Sequence, residues 1–181
     1  MVENTIEPIS IFLSQSEFEG MTFKGETAIN LDLTGRKFID CIFERCQFSS
    51  IKMDGAVIQA SFKGCKIEGI NFFTAKKTLL SVTFDSCLIR HSSFAELKLP
   101  KIKFSNSKLQ NVDFSDADLS SADFSDSTFE ECVFRNTNLS KADFRTASGY
   151  YIDPIQNKIR GTKFSYPEVL NLLAGFDIVI E

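Results

Sequence analysis

One large apolar side chain returns at every fifth residue along most of the chain. The pattern runs without a break from Leu79 to Phe144, and an earlier run extends from Leu13 to Ile58. After a slip of one residue the pattern also includes Phe62, Ile67 and Phe72. We call all these positions centres, and they hold fifteen of the 19 phenylalanines. A period of five fits neither the period of two of a strand nor the 3.6 of a helix. The pattern therefore predicts a chain that turns regularly around one axis and buries each centre.

A second, smaller side chain occupies the position two residues before each centre, as at Ala117 and Ala122. We expect this position also to face inward, while the other three positions of each repeat carry polar residues that suit turns and solvent. All five cysteines fall on the small position: Cys41, Cys46, Cys65, Cys87 and Cys132. Free cysteine packs like a small apolar side chain. Buried, reduced thiols are therefore expected, without a metal site.

The repeat is interrupted twice before it ends. Its phase slips by one residue near 58–62, and two extra residues enter near 73–78. Lys76 and Lys77 lie in the second interruption, where they are predicted to form a small bulge that could contact a partner.

The period breaks after Phe144, which divides the chain into a repeat region, 1–146, and a C-terminal segment, 147–181. In that segment Ser165 and Glu168 have the spacing of a capping box, and a proline follows in the first turn. A short helix is predicted from about Tyr166 to Ala174.

The stretches ADLSS (117–121), ADFSD (122–126), TNLSK (137–141) and ADFRT (142–146) repeat an A-D/N-L/F-x-x motif. On these motifs the sequence resembles the pentapeptide-repeat family from about residue 11 to residue 146. The resemblance implies an all-β fold, a right-handed quadrilateral β-helix with four pentapeptides in each coil. The C-terminal segment would add one short helix.

Negative charge is concentrated in one part of the repeat. Seven carboxylates occur there without an intervening base: Asp113, Asp116, Asp118, Asp123, Asp126, Glu130 and Glu131. Just before them come four lysines without an intervening acid: Lys98, Lys101, Lys103 and Lys108. The carboxylates could simply be solvated and attract the lysines of the next coil, each exposed pair contributing at most about 1 kcal/mol. Alternatively they could bind a partner by imitating DNA phosphates, which recur about every 1.7 Å along a duplex.

The C-terminal segment carries more apolar surface than one coil can cover. It could cap the end of the rod, form a homodimer across a twofold axis, or do both. The predicted dimer interface consists of Leu170, Leu173, Phe176, Ile178 and Ile180. The ending LLAGFDIVIE is similar to the C-termini of Qnr-type quinolone-resistance proteins and of the microcin-immunity branch of the family. In those relatives this segment pairs two rods end to end.

The resemblance implies a non-enzymatic DNA mimic that binds DNA gyrase or topoisomerase IV and protects it from quinolones or toxin poisons. The alternative is a structural or protein-interaction scaffold for an unrelated partner. His91, the only histidine, has no nucleophile or acid arranged around it, and neither a cofactor nor a metal is expected. A net charge of −4 argues against direct nucleic-acid binding. The sequence has no signal peptide and no apolar span, so a cytoplasmic protein without membrane contact is expected.

Overall fold

The computed structural model describes residues 15–176, 178 and 179. Leu13, the first predicted centre, and Ile180, a predicted interface residue, lie outside the described residues. Among the described residues, no helix has the length and apolar character needed to cross a membrane.

The chain winds into a parallel β-solenoid in which each coil hydrogen-bonds to the next. Lys103 pairs with Thr83, and Lys108 pairs with Leu88, so each residue meets the one four repeats earlier in the chain. One coil therefore contains four five-residue repeats. Most repeats turn the chain at the residue two after the centre, which adopts a left-handed backbone, as at Asn106 (φ 51°). The predicted fold class, a right-handed quadrilateral β-helix, is confirmed.

Twelve short strands form the regular part of two parallel sheets. In chain order they are β1 (Glu17–Glu19), β2 (Thr22–Lys24), β3 (Thr27–Ile29), β4 (Lys37–Glu44), β5 (Gln47–Ser49), β6 (Val57–Lys63), β7 (Lys66–Glu68), β8 (Ser81–Asp85), β9 (Leu88–Arg90), β10 (Lys103–Ser105), β11 (Lys108–Gln110) and β12 (Thr128–Glu130). One sheet has the order β1-β4-β6-β8-β10, with β2 also on β4, and the other has the order β12-β11-β9-β7-β5-β3. Later coils continue the ladder through isolated bridges.

The centres of successive coils stack along the axis of the rod. The rings of Phe84 and Phe104 lie 4.9 Å apart at an interplanar angle of 10°, and those of Phe104 and Phe124 lie 5.6 Å apart at 9°. All three side chains are fully buried. Each such aromatic pair contributes roughly 0.5–1.5 kcal/mol beyond the area that it buries. The rod is therefore stabilised mainly between neighbouring coils.

The small inward positions provide hydrogen bonds between coils. The Cys65 thiol donates to the Phe43 carbonyl at 3.3 Å, and the Thr137 hydroxyl donates to the Phe114 carbonyl at 2.9 Å. Four of the five cysteines are buried, and Cys132 is partly buried. Burial raises the pKa of the Cys41 thiol above its ordinary value. The predicted inward placement of the cysteines is confirmed.

Two irregularities interrupt the coils where the sequence loses its phase. Phe38 pairs with Ile58 in the regular register, but Cys41 pairs with Ala60, so the register shifts by one position between the two pairs. The next coil is longer and holds its extra residues in two 3-10 helices, Phe72–Thr74 and Lys77–Leu79. The prediction that Leu79 is an inward centre is wrong. Leu79 is 40% exposed in the second of these helices, and the adjacent Leu80 is buried instead.

The C-terminal helix is a 3-10 helix over Glu168–Leu173, shorter than the predicted Tyr166–Ala174. The predicted capping box is wrong, because the Ser165 hydroxyl donates to the Arg145 carbonyl of the neighbouring coil. Pro167 takes the N-cap position without a side-chain cap.

The ladder continues past residue 146, the predicted end of the repeat region. Asn138 pairs with Lys158 and Asp143 with Lys163. The Phe164 ring also stacks on Phe144 with centroids 5.6 Å apart. The division of the chain at residue 146 stays a prediction.

Candidate protein-binding surfaces

The register assigns each outward side chain to one of four walls of the rod. Each wall is defined by a ladder of residues just before the centres, together with the two residues that follow each centre. The ladders run through Lys103, Asp123, Asp143 and Lys163 on the first wall, Lys108 and Thr128 on the second, Ser93, Asp113 and Val133 on the third, and Lys98, Asp118, Asn138 and Lys158 on the fourth.

The seven predicted carboxylates occupy one coil, which we call the acidic coil, and they are divided among all four walls. The third wall carries Asp113 and Asp116, the fourth Asp118, the first Asp123 and Asp126, and the second Glu130 and Glu131. No wall carries more than two of them. Their charges therefore surround the rod instead of following its axis.

Three of the seven carboxylates shape the turns of their own coil. Asp113 Oδ1 accepts from the Ser115 N–H at 2.9 Å, and Asp118 Oδ1 accepts from the Ser120 N–H at 3.0 Å. Asp123 makes the same bond to the second residue after it, at 3.1 Å. These side chains are partly buried, as expected for aspartates that bond to nearby backbone in a turn. Their main role is therefore to hold the turns, and they offer a partner less exposed charge than fully exposed carboxylates would.

Three other carboxylates, the corner carboxylates, project from the turns between walls. Asp116, Asp126 and Glu131 are exposed and have left-handed backbones, with φ of 59°, 56° and 53°. Ser121 holds the fourth corner of the same coil, with φ of 59°. None of the three makes an ion pair with another described residue. They are the members of the acidic coil that are most available to a partner.

Glu130 differs from the corner carboxylates because its charge is already compensated. The Gln110 amide donates to it, and Lys108 Nζ lies 3.6 Å from its Oε2. The Gln110 hydrogen bond and the neighbouring cation hold the pKa of Glu130 below its ordinary value. Lys108 of the preceding coil thus partly neutralises this side of the acidic coil.

The bulge predicted around Lys76 and Lys77 consists of short 3-10 helices, one of which begins at Lys77. Lys77 Nζ lies 3.1 Å from the centroid of the Phe73 ring and 4.0 Å from Glu96 Oε2, so its charge is engaged on the rod. Lys76 is exposed and makes no ion pair with the residues that the structure describes. Contact of a partner with these lysines stays a prediction.

The C-terminal segment both packs on the core and exposes apolar surface. Leu172 contacts the core cluster, and Leu170 is partly buried. By contrast, Leu173, Phe176 and Ile178 are exposed, Ile178 to 54%. Part of the segment thus packs on the core, while three of its apolar side chains are exposed. That the segment caps the rod stays a prediction. The dimer interface itself stays a prediction.

Sequence reasoning missed a basic surface along the fourth wall. Five cations project from it: Lys98, Lys101, Lys141, Lys158 and Arg160. We call this surface the basic wall. They come from three different coils, so inspection of neighbouring residues does not group them. The signal that could have found them is the separation of basic residues by multiples of four repeats, since four repeats make one coil.

His91 is exposed at a turn. Within the described part of the chain, no group of three or more His, Cys, Asp or Glu side chains could hold a metal ion.

Two sequence models of one family match the chain. A model described as a pentapeptide repeat region matches residues 36–114. A second, described as pentapeptide repeats in eight copies, matches residues 98–136 and 113–148. Together the matches cover more than half of the 181 residues. The chain belongs to the pentapeptide-repeat family.

Solved structures of other proteins match the chain over most of its length. A trypsin-treated variant of QnrB1, a plasmid-mediated fluoroquinolone resistance protein, matches with a TM-score of 0.58 and 16% identity, over 91% of this chain and 98% of that one. HetL, a pentapeptide repeat protein involved in heterocyst differentiation regulation from the cyanobacterium Nostoc sp. strain PCC 7120, matches with a TM-score of 0.44 and 11% identity, over 88% and 95% of the two chains. No curated protein matches the chain significantly. At these identities the similarity concerns the fold alone.

Proposed function

We propose that this pentapeptide-repeat protein binds DNA gyrase or topoisomerase IV in place of DNA and protects the enzyme from quinolones or toxin poisons. The observation that carries the proposal is the set of corner carboxylates, exposed and without ion pairs among the described residues, on a continuous β-solenoid. The fold shared with QnrB1, a fluoroquinolone resistance protein, supports the same conclusion. The protein would act by binding and would carry out no chemistry.

The geometry favours contact at short range over attraction from a distance. Carboxylates held by ordered turns lose little conformational freedom on binding, which favours affinity. However, the lysines of the preceding coil lie about 4.8 Å away along the rod, within the Debye length of about 8–10 Å at physiological salt. Their field opposes that of the acidic coil at larger distances. A partner must therefore dock closely against the corners to interact with the carboxylates.

The test is supercoiling by gyrase in the presence of a quinolone, with increasing amounts of this protein. The corner variant combines Asp116→Asn, Asp126→Asn and Glu131→Gln. Asparagine tolerates the left-handed backbone at two of these positions, so the fold should be kept. Asp113, Asp118 and Asp123 are left unchanged because they hold turns. We expect the native protein to restore supercoiling and the corner variant to lose most of this effect.

A matched control removes three exposed carboxylates far from the acidic coil, through Glu19→Gln, Asp40→Asn and Glu68→Gln. It changes the net charge by the same amount. Protection by the control but not by the corner variant would support the proposal. Equal protection by both variants would exclude the corner carboxylates, and no protection by the native protein would exclude this enzyme and drug.

We further propose that the C-terminal segment forms the homodimer predicted from the sequence. The exposed side chains of Leu173, Phe176 and Ile178 support this proposal, because paired copies would remove them from water. Sedimentation equilibrium should detect a dimer that Phe176→Ser weakens. Leu79→Ser, which alters an exposed leucine elsewhere on the rod, should leave it intact. A native monomer at micromolar concentration would contradict the proposal.

The same exposed apolar side chains favour the second candidate, a scaffold that binds an unrelated protein. Binding through apolar side chains should depend little on salt, whereas binding through the corner carboxylates should weaken as salt rises. The salt dependence of an isolated complex therefore distinguishes the two candidates.

A further inference from the structure

The basic wall has a charge opposite in sign to that of the whole protein. Its five cations lie on coils that bridge directly to one another through Lys98, Asp118, Asn138 and Lys158. The other three cations follow the centres of the same wall, and Lys141 is hydrogen-bonded through its backbone to Arg160. Over residues 98–161 this wall carries five cations and one carboxylate, a net charge of +4. The net charge of the whole chain, −4, gives no indication of this local positive charge.

The cations of the basic wall are available to a ligand. All five are exposed, and none makes an ion pair with another residue that the structure describes. The one carboxylate of the wall, Asp118, already accepts two hydrogen bonds within the wall. Its Oδ1 accepts from the Ser120 N–H at 3.0 Å and from Asn138 Nδ2 at 2.9 Å. Lys98 neighbours Asp118 in the ladder, and Lys141 borders a cleft that aspartates of the first wall also line. None of the five cations is within ion-pair distance of these carboxylates, so the lysines and the arginine still face solvent.

We propose that the basic wall binds the phosphate backbone of duplex DNA. Three coil steps separate Lys98 from Lys158, a length of about 14 Å at a spacing of about 4.8 Å. A DNA strand places a phosphate about every 3.4 Å along its axis, so the wall spans about four phosphates. The five cations lie on three of the four coils within this length, at both ends of the wall and between them, so they can contact most of such a row of phosphates.

The other outward groups of the wall also fit a phosphate backbone better than a membrane. Serine hydroxyls, as at Ser120 and Ser121, commonly bind phosphate oxygens. Apart from Pro100, the outward positions of this wall between residues 98 and 161 carry no apolar side chain. Membrane-surface binding normally needs apolar side chains that enter the lipid beside the cations. The proposal is independent of the proposed function, because no corner carboxylate takes part.

The test measures fluorescence anisotropy of a labelled 20-bp duplex of mixed sequence at about 50 mM salt, with the full-length protein. The basic-wall variant carries Lys98→Gln, Lys141→Gln and Arg160→Gln. The matched variant carries Lys63→Gln, Lys66→Gln and Lys103→Gln, which remove three exposed cations from the first and second walls. Thermal melting checks that both variants are folded.

We expect weak, salt-sensitive binding by the native protein. For three to five phosphates the logarithm of the binding constant should fall with the logarithm of salt with a slope between about −2.7 and −4.5. The basic-wall variant should bind at least about tenfold more weakly and lose most of that slope. The matched variant should bind like the native protein.

Three results would overturn the proposal. They are the absence of binding by the native protein at low salt, an equal loss of binding in both folded variants, and tighter binding to phosphatidylserine vesicles or to polyglutamate than to the duplex. The last result would assign the wall to an anionic membrane or to an acidic protein.

Discussion

Gly149 lies directly against the Phe129 backbone of the preceding coil, and its replacement by alanine should be strongly destabilising. Its φ is +74°, and an added Cβ would meet the Phe129 carbonyl oxygen far inside the 3.0 Å below which real Cβ atoms essentially never fall. Gly161 has nearly the same φ, +72°, but its added Cβ would only touch Lys141 Cγ at 3.6 Å. A comparison of the alanine variants at the two glycines therefore separates the cost of backbone strain from the cost of steric overlap.

The expected magnitudes follow from these two contributions. A left-handed alanine costs about 1 kcal/mol, which is the whole effect expected for Gly161→Ala. At Gly149 the overlap adds about 1–3 kcal/mol, since the methyl group must push two coils apart. The hydrogen bonds from Phe129 N–H to the Ser148 carbonyl and from Ser148 N–H to the Ser127 carbonyl, at 2.9 and 3.0 Å, would also weaken. Each contributes about 1 kcal/mol. Because these bonds would weaken without breaking, together they add about 1 kcal/mol, and a total of about 3–5 kcal/mol is expected for Gly149→Ala.

Urea denaturation followed by circular dichroism measures both variants against the native protein. Gly149→Ala should shift the midpoint far below that of Gly161→Ala. If the two variants agreed within about 0.5 kcal/mol, close approach of the coils at residue 149 would not limit stability, and the reasoning would be wrong.

Three further perturbations test the packing and electrostatics of the last coils. Tyr150→Phe should stabilise the protein by about 1 kcal/mol in urea denaturation, because the buried hydroxyl has no hydrogen-bond partner among the described residues; a loss of stability would show that it has one. Asp143→Asn should cost about 1 kcal/mol at pH 7. The Arg145 hydrogen bond lowers the pKa of Asp143 to about 2, so this cost should decline as pH falls from about 4 through 2 and vanish near pH 1; a full cost at pH 1 would contradict it. Phe124→Ala should cost about 3–5 kcal/mol, and Phe164→Ala less because that ring is only partly buried; the reverse order in thermal melts would contradict stacking as the main source of stability.

The fold could be predicted because its signal is local. A centre every five residues and a small residue two positions earlier are enough to indicate the coil, and Phe84, Phe104 and Phe124 indeed stack. The sequence predicted the wrong buried residue where the local pattern fits two neighbouring positions equally well. Leu79 and Leu80 are equally apolar neighbours beside an insertion, and only packing decides which one is buried.

The candidate surfaces were harder to predict because they depend on long-range register. The acidic coil is contiguous in sequence, so its residues could be named, but which carboxylates hold turns and which project could not. Asp118 and Asp116 are two residues apart, yet one bonds to backbone and the other faces solvent. The basic wall joins Lys98 to Lys158, and its recognition requires the length of every coil between them.

The coil of four repeats also has a consequence for how such a gene can change. The interior needs only a period of five, so loss or duplication of a single repeat would keep every centre buried. It would nevertheless rotate all later walls by a quarter turn relative to the earlier ones. Lys141, Lys158 and Arg160 would then no longer align with Lys98 and Lys101. Only changes by four repeats at a time conserve both the interior and the arrangement of surface charge, so selection on the surface would favour insertions and deletions of whole coils.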